Sequence, residues 1–249
     1  MSRTLDSLTE KRVGLALSGG AVRGLAHIGI IKALHEAGIK PDVIAGTSVG
    51  SIIGAALAAG MDWSEMAKMA RSVFWPRLLH GKTLERFLHR HLPDTFERLA
   101  TPFAAVTTMA ASSRAHTITS GKLSSAISAS CALRLRRPVI REGVELRDGG
   151  FSCVLPAHAC RELGADFVIA SDVWEWSSVL RSLGCSPGQT PRVYPSHYRF
   201  ALFNTDIHIH PEIWVGDYVP SPGAVDRMIA AGERAARRAL AIQLHELAA

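Results

Sequence analysis

Three short stretches carry residue types that chemistry needs. Gly46-Thr47-Ser48-Val49-Gly50 has the G-x-S-x-G spacing in which a serine hydroxyl stands on a sharp turn between a strand and a helix. Such a turn crowds the backbone, so small flanking residues are required, and the helix N-terminus behind it favours negative charge growing on the oxygen. The same pattern also describes a glycine-rich turn with a helix-capping serine. A serine hydroxyl is a weak nucleophile and needs a base. The chain has 11 histidines, none marked out by position, with His208 and His210 the two that would close a Ser-Asp-His order. Asp148-Gly149-Gly150 offers a carboxylate at a strand end instead, followed by two residues that admit close backbone approach. A plain turn, with the aspartate bonding its own backbone, has the same appearance.

The third stretch is Ser18-Gly19-Gly20-Ala21-Val22-Arg23-Gly24. Backbone N–H groups at such a strand-to-helix turn can meet an anion. Read as a dinucleotide fingerprint, it has Ala21 where the second glycine belongs, and it calls for an acidic residue at the end of the next strand. That strand runs into Gly46-Thr47-Ser48 instead. A Walker loop needs Gly-Lys-Ser/Thr, which is absent. An oxyanion loop facing Ser48 remains.

These stretches need elements to position them, and the apolar pattern supplies a strand and helix in alternation. Val13 to Leu17 reads as a strand and the residues from Arg23 to Gly38 as a helix. Asp42 to Ala45 reads as a second strand, feeding a helix that ends near Gly60. Asp62-Trp63-Ser64-Glu65 is a capping box for a third helix. A short helix is expected over Thr83–His91, strands over Phe103–Met109 and Ala115–Thr119, and a helix from Lys122 to Cys131. A hairpin over Val139–Leu146 then leads to Asp148. Pro156–Leu163 reads as a helix, Phe167–Ser171 as a buried strand, Asp206–His210 as a strand, and Ser221-Pro222 as the start of a long final helix. The expected fold is therefore α/β, three layers α/β/α, with a mainly parallel central sheet. One domain over residues 11–249 follows a tail of residues 1–10, with a mobile loop at about 175–200 where Ser, Pro and Gly concentrate.

Taken together and in this order, Gly19-Gly20-Ala21-Val22-Arg23-Gly24, Gly46-Thr47-Ser48-Val49-Gly50 and Asp148-Gly149-Gly150 resemble the motifs of patatin-like phospholipases. The likeness continues through LAHIGIIKAL, SAISASCAL and LPAHACRELGADFVIASDV. It implies a serine acyl-hydrolase acting on phospholipids or lysophospholipids. Ser48 would be the nucleophile and Asp148 the proton acceptor, with the backbone of Gly19, Gly20 and Ala21 as the oxyanion hole. Arg23, Gly24, Gly46, Gly50, Gly149 and Gly150 would support the motifs. The resemblance departs at Ala21, where the family has a glycine, at Cys153, where an Asn is common, and at Leu133-Arg134-Leu135-Arg136-Arg137. Arg134, Arg136 and Arg137 could clamp an anionic lipid headgroup. A family fold that has lost its chemistry and only binds lipid is the other reading.

Composition bounds the partners. A chain of 249 residues that is 47% hydrophobic can bury a sizeable core. Its net charge of +6 favours anionic surfaces but comes with 6% aromatics and no recognition motif, against nucleic acid as a partner. The uncharged run Val43–Met61 is broken by Gly46, Ser48, Gly50 and Ser51, which reads as strand and buried helix rather than a membrane span. With no apolar leader and four cysteines in no framework spacing, a cytoplasmic protein with reduced thiols is expected, in peripheral contact with anionic membrane at most. His208-Ile209-His210 and His89-Arg90-His91 lack a third ligand cluster, so neither a metal nor an organic cofactor is expected.

Overall fold

The computed structural model describes residues 10–73, 82–133, 137–174, 196–218, 221 and 223–246. Its centre is an eight-stranded mixed sheet formed by β1 (Val13–Leu17), β2 (Val43–Thr47), β3 (Phe103–Met109), β4 (Ala115–Ile118), β5 (Val139–Arg141), β6 (Val144–Asp148), β7 (Phe167–Ser171) and β8 (Ile207–Ile209). The hydrogen-bonded order is β5-β6-β3-β2-β1-β7-β8, with β4 also paired to β3. The run β3-β2-β1-β7-β8 is parallel, whereas β4 and β6 join β3, and β5 joins β6, in antiparallel fashion.

The inner parallel strands β1, β2 and β7 are buried throughout because helices cover both faces, as parallel sheets require. Alternation then sorts side chains by size. Leu15, Leu17, Ile44, Phe103 and Ile169 face the larger core. There they meet α1 (Ala26–Glu36), α2 (Val49–Ala58), α5 (Leu123–Ser130) and α8 (Ala224–Glu246), while α3 (Trp63–Ser72) and α4 (Lys82–His91) pack outside. Ala16, Val43, Ala45, Ala104 and Val168 face the other way, and their small size lets α6 (Ala157–Glu162) come close. A Cβ added to Gly14 would lie 2.8 Å from the Cβ atoms of both Cys160 and Ala165. Fully buried side chains such as Leu17, Ile28 and Ile44 each contribute about 1.5–3 kcal/mol by leaving water.

The Asp62 capping box forms as expected, with Glu65 returning the bond to the Asp62 N–H. The cysteines in view, Cys131, Cys153 and Cys160, are buried free thiols. The hairpin strand extends two residues further than its apolar pattern suggests, to Asp148 itself. The expected loop at about 175–200 is shorter at its end, because α7 (Ser196–Phe203) begins at Ser196. Residues 175–195 of that loop lie outside the described residues. Tyr198 and Ala201 bury against Val154, Leu155 and Ala170, contacts that no local pattern announces.

One register detail builds the site. Thr47, the last residue of β2, stands opposite Val106 of β3. Asp148, the last residue of β6, stands opposite the next position, Thr107. Since β4 pairs Ala105 to Thr108 across both stretches, β2 and β6 must share the opposite edge of β3, end to end. A single strand thereby delivers the residue after Thr47 to the carboxylate at the end of β6.

Candidate active site

That residue is Ser48, with φ 52° and ψ −124°. A non-glycine residue there is strained by roughly 1–3 kcal/mol, and the surroundings must hold it. They do so through several bonds. The Ser48 N–H donates to Ser130 Oγ at 2.8 Å, and Ser130 Oγ donates to the Val106 carbonyl at 2.6 Å. The Ser48 carbonyl accepts from Ser51 N–H at 2.8 Å and from Ser51 Oγ at 2.6 Å. The two elbow glycines make the turn sterically feasible. A Cβ on Gly46 would lie 2.3 Å from the Gly50 carbonyl oxygen, and one on Gly50 would lie 2.2 Å from that of Leu17.

The Ser48 hydroxyl donates to Asp148 Oδ2 at 2.8 Å. Asp148 is 4% exposed, and its other oxygen, Oδ1, accepts the Gly150 N–H at 2.8 Å. Its backbone is anchored from both sides, N–H to the Ala132 carbonyl and carbonyl to Thr108 Oγ1. Gly149 allows the chain to pass, since a Cβ there would lie 2.2 Å from the Val106 carbonyl oxygen. Ser48 and Asp148 open into a cavity of about 210 Å³ whose walls include Leu133, Phe151, Val154 and Trp174. An apolar cavity with one hydroxyl and one carboxylate at its base has the make-up of a small-molecule binding pocket.

The glycine-rich loop borders the same cavity. Its three peptides are individually pinned. Gly19 N–H donates to the Val154 carbonyl at 2.9 Å, the Gly19 carbonyl accepts Ser18 Oγ at 3.0 Å, and the Gly20 carbonyl accepts Arg23 Nε at 3.2 Å. The Gly19 N–H is thus bonded within the protein, while Gly20 and Ala21 line the cavity beside Ser48. Ala21 adopts φ +52°, a left-handed value that glycine takes more easily, so the family glycine is replaced at a real conformational cost. Arg23 is 6% exposed and braces the loop. Gly24 abuts Val49, where a Cβ would come within 2.4 Å of Val49 Cγ1, locking the loop to the elbow helix.

Several groups went unrecognised in the sequence. Ser130 is one, visible only as a small residue in SAISASCAL. His27 is another: it is fully buried, and burial pushes its pKa down to about 4. The neutral ring must donate from Nε2 to the Ser18 carbonyl at 3.0 Å, which leaves Nδ1 to accept from Ser171 Oγ at 2.5 Å. It thus joins the ends of β1 and β7 beneath the loop. Cys153 and Cys160 are thiols pushed up to about 12 by burial, too high to ionise near neutrality.

The histidines weighed as a third catalytic member are engaged elsewhere. His208 Nε2 lies 3.0 Å from Asp172 Oδ2, and His210 Nδ1 donates to the Asp172 carbonyl at 2.9 Å. Both histidines are thereby tied to Asp172. Among the proposed headgroup residues, Arg137 is exposed, whereas Arg134 and Arg136 lie outside the described residues. Among the described residues, no group of three or more His, Cys, Asp or Glu is placed to hold a metal, and no helix is long and apolar enough to cross a membrane.

A serine elbow at the end of the second strand of a helix-covered α/β sheet defines a class of hydrolases. The patatin-like phospholipase family matches over residues 15–161, and the chain belongs to that family. It is 37% identical over 192 residues to the human patatin-like phospholipase domain-containing protein 6, covering 69% of this chain and 14% of that protein. It is 34% identical over 210 residues to lysophospholipase nte1 of Aspergillus fumigatus, covering 77% of this chain and 13% of that one. The chain thus spans about a seventh of the length of these relatives. Among solved structures, VipD from Legionella pneumophila shares the fold with TM-score 0.62 at 14% identity, over 94% of this chain and 67% of that chain. The type III effector protein ExoU matches with TM-score 0.51 at 15% identity, over 94% and 53%.

Proposed function

We propose that this chain hydrolyses the acyl ester of a phospholipid or lysophospholipid, with Ser48 as nucleophile and Asp148 as proton acceptor. The observation that carries the reading is the 2.8 Å bond from the strained Ser48 hydroxyl to Asp148 Oδ2 at the base of an apolar cavity. In the first half-reaction Ser48 Oγ attacks the ester carbonyl carbon while its proton passes to Asp148 Oδ2. The carbonyl oxygen becomes an oxyanion beside the Gly20 and Ala21 N–H groups, donors of a kind that contribute about 3 kcal/mol each. Collapse breaks the bond to the alcohol oxygen, which takes the proton from Asp148 and leaves an acyl group on Ser48. In the second half-reaction Asp148 accepts a proton from water as the water attacks the acyl carbon. Ser48 recovers its proton as the fatty acid departs. No step needs a metal or an organic cofactor.

The choice of a lipid ester is supported by the apolar walls and by likeness to a fungal protein named as a lysophospholipase. Residues 11–249 are read as one domain, and the basic excess and exposed Arg137 support peripheral contact with an anionic membrane. In the test, a fluorophosphonate probe is expected to label Ser48. Ser48→Ala and Asp148→Asn should each lower ester turnover by at least about 10³-fold in correctly folded protein. Full activity in Asp148→Asn would sink the dyad. Arg137→Gln should reduce turnover on anionic vesicles more than on a neutral soluble ester, and equal loss on both would remove its headgroup role.

A further inference from the structure

A trans peptide carries its C=O and N–H on opposite sides, so whatever grips the Gly20 carbonyl also aims the Ala21 N–H. Arg23 grips it twice, through Nε and through its own N–H, both at 3.2 Å. The Nε half of that grip depends on where the Arg23 side chain is held. Its Cζ lies over the indole of Trp174, 4.6 Å from the ring centroid. At 6% exposure the guanidinium is largely removed from water, the condition under which attraction to an aromatic face is strongest.

Trp174 is itself fixed from behind. Its backbone N–H donates to Asp172 Oδ1 at 2.9 Å, while Asp172 Oδ2 takes the Tyr198 hydroxyl and, at 3.0 Å, His208 Nε2. The intervening Val173 touches the glycine loop directly. Its N–H donates to Ser18 Oγ at 2.8 Å, and a Cβ on Gly20 would lie 2.5 Å from Val173 Cγ2. The short segment after β7 is thus built against the loop residue by residue.

Resting on the Ser48 reading above, the geometry points to Trp174 as a positioning residue for the oxyanion. Its ring face holds Arg23, Arg23 holds the Gly20 carbonyl, and the Ala21 N–H is thereby kept turned toward the reacting carbonyl. The rival role is simpler: Trp174 also borders the cavity and could act as nothing more than a wall for the acyl chain.

The two roles separate in Trp174→Leu, which keeps an apolar wall but removes the ring face, compared with Trp174→Phe, which keeps a face. On a soluble nitrophenyl ester, Trp174→Leu should lower kcat about tenfold with KM little changed, the size a desolvated cation–π contact can supply. Affinity for a trifluoromethyl ketone, whose serine adduct carries an oxyanion, should fall by a similar factor. Trp174→Phe should recover activity to within about threefold of wild type. A change confined to KM, or equal losses in both variants, would overturn the proposal in favour of a wall. If Trp174→Leu fails to fold, Trp174→Met takes its place. Amide hydrogen exchange at Gly20 and Ala21, measured in a Ser48→Ala background, supplies a readout independent of turnover. It should accelerate with Leu or Met and stay near the parent rate with Phe; unchanged exchange in every variant overturns the tether. Absence of Ser48 labelling in the wild type would instead count against Ser48 as nucleophile, and the exchange result would still judge Trp174.

Discussion

Two buried aspartates stand at or just beyond strand ends of the same sheet, and their surroundings give them opposite characters. Asp148, at the end of β6, spends one oxygen on the Gly150 N–H and offers the other to a serine hydroxyl that opens on a cavity. Asp172, just after β7, has its oxygens taken by Tyr198, His208 and the Trp174 N–H. Burial alone would raise the Asp172 carboxyl, but the hydrogen bond and charge of His208, followed by Tyr198 and the Trp174 N–H, hold it below its usual range. Among the described residues, then, Asp172 is paired with a histidine and a tyrosine, and Asp148 with a serine. A carboxylate's role is read from what it faces, not from its burial or from a neighbouring imidazole.

Replacing each carboxylate by its amide gives the widest separation. Asp148→Asn should remove turnover, by about 10³-fold or more, with little loss of stability. Asp172→Asn keeps an acceptor for the Trp174 N–H and should instead cost about 2 kcal/mol of stability, seen by urea unfolding, with activity per folded molecule within severalfold of wild type. Loss of chemistry in both, with both fully stable, would erase the distinction.

A pH series sharpens it from the other side. The pKa of His27 is about 4 in the folded protein against 6.5 when unperturbed, so between those values the unfolded chain binds the extra proton. Stability should fall by about 3 kcal/mol as pH drops from 6.5 to 4. The depressed pKa of Asp172 acts lower: its contribution is present above the ordinary carboxylate range and is lost as pH falls below it. His27→Gln, with an amide to reach the Ser18 carbonyl, should flatten the upper window only. The smallest effect belongs to the loop. Ala21→Gly relieves a positive φ at the expense of added chain entropy and should gain up to about 1 kcal/mol, read as a rise of a few degrees in Tm.

The chemistry-bearing stretches and the order of the elements are legible in the amino-acid sequence. The limits of β1, β3 and β7 match the apolar runs residue for residue, and the Asp62 box was recognisable from four letters. These are local signals. The contact of Ser48 with Asp148 was expected only through family resemblance, because it depends on β2 and β6 sharing one edge of β3. Ser130, His27 and the Asp172 cluster were missed for the same reason: their partners lie 82, 144 and 26 to 36 residues away in sequence. The backbone bond from Gly19 to Val154 was hidden as well, because residue type does not encode the direction of an N–H. α7 escaped notice because its buried positions, Tyr198 and Ala201, are too few to form a recognisable stripe.

The crossing of α1 and α8 has a consequence for how the chain acquires its working shape. A Cβ on Gly29 would lie 1.8 Å from the Ile229 carbonyl oxygen, and one on Gly232 would lie 1.9 Å from that of Ala26. The backbones touch, so the helix that follows the glycine loop is seated by one made some two hundred residues later. During synthesis the serine elbow can form early from neighbouring residues, but the packing behind the loop must wait for α8 to leave the ribosome. The final seating of the glycine loop would then arrive late and all at once, when the last helix closes on the first.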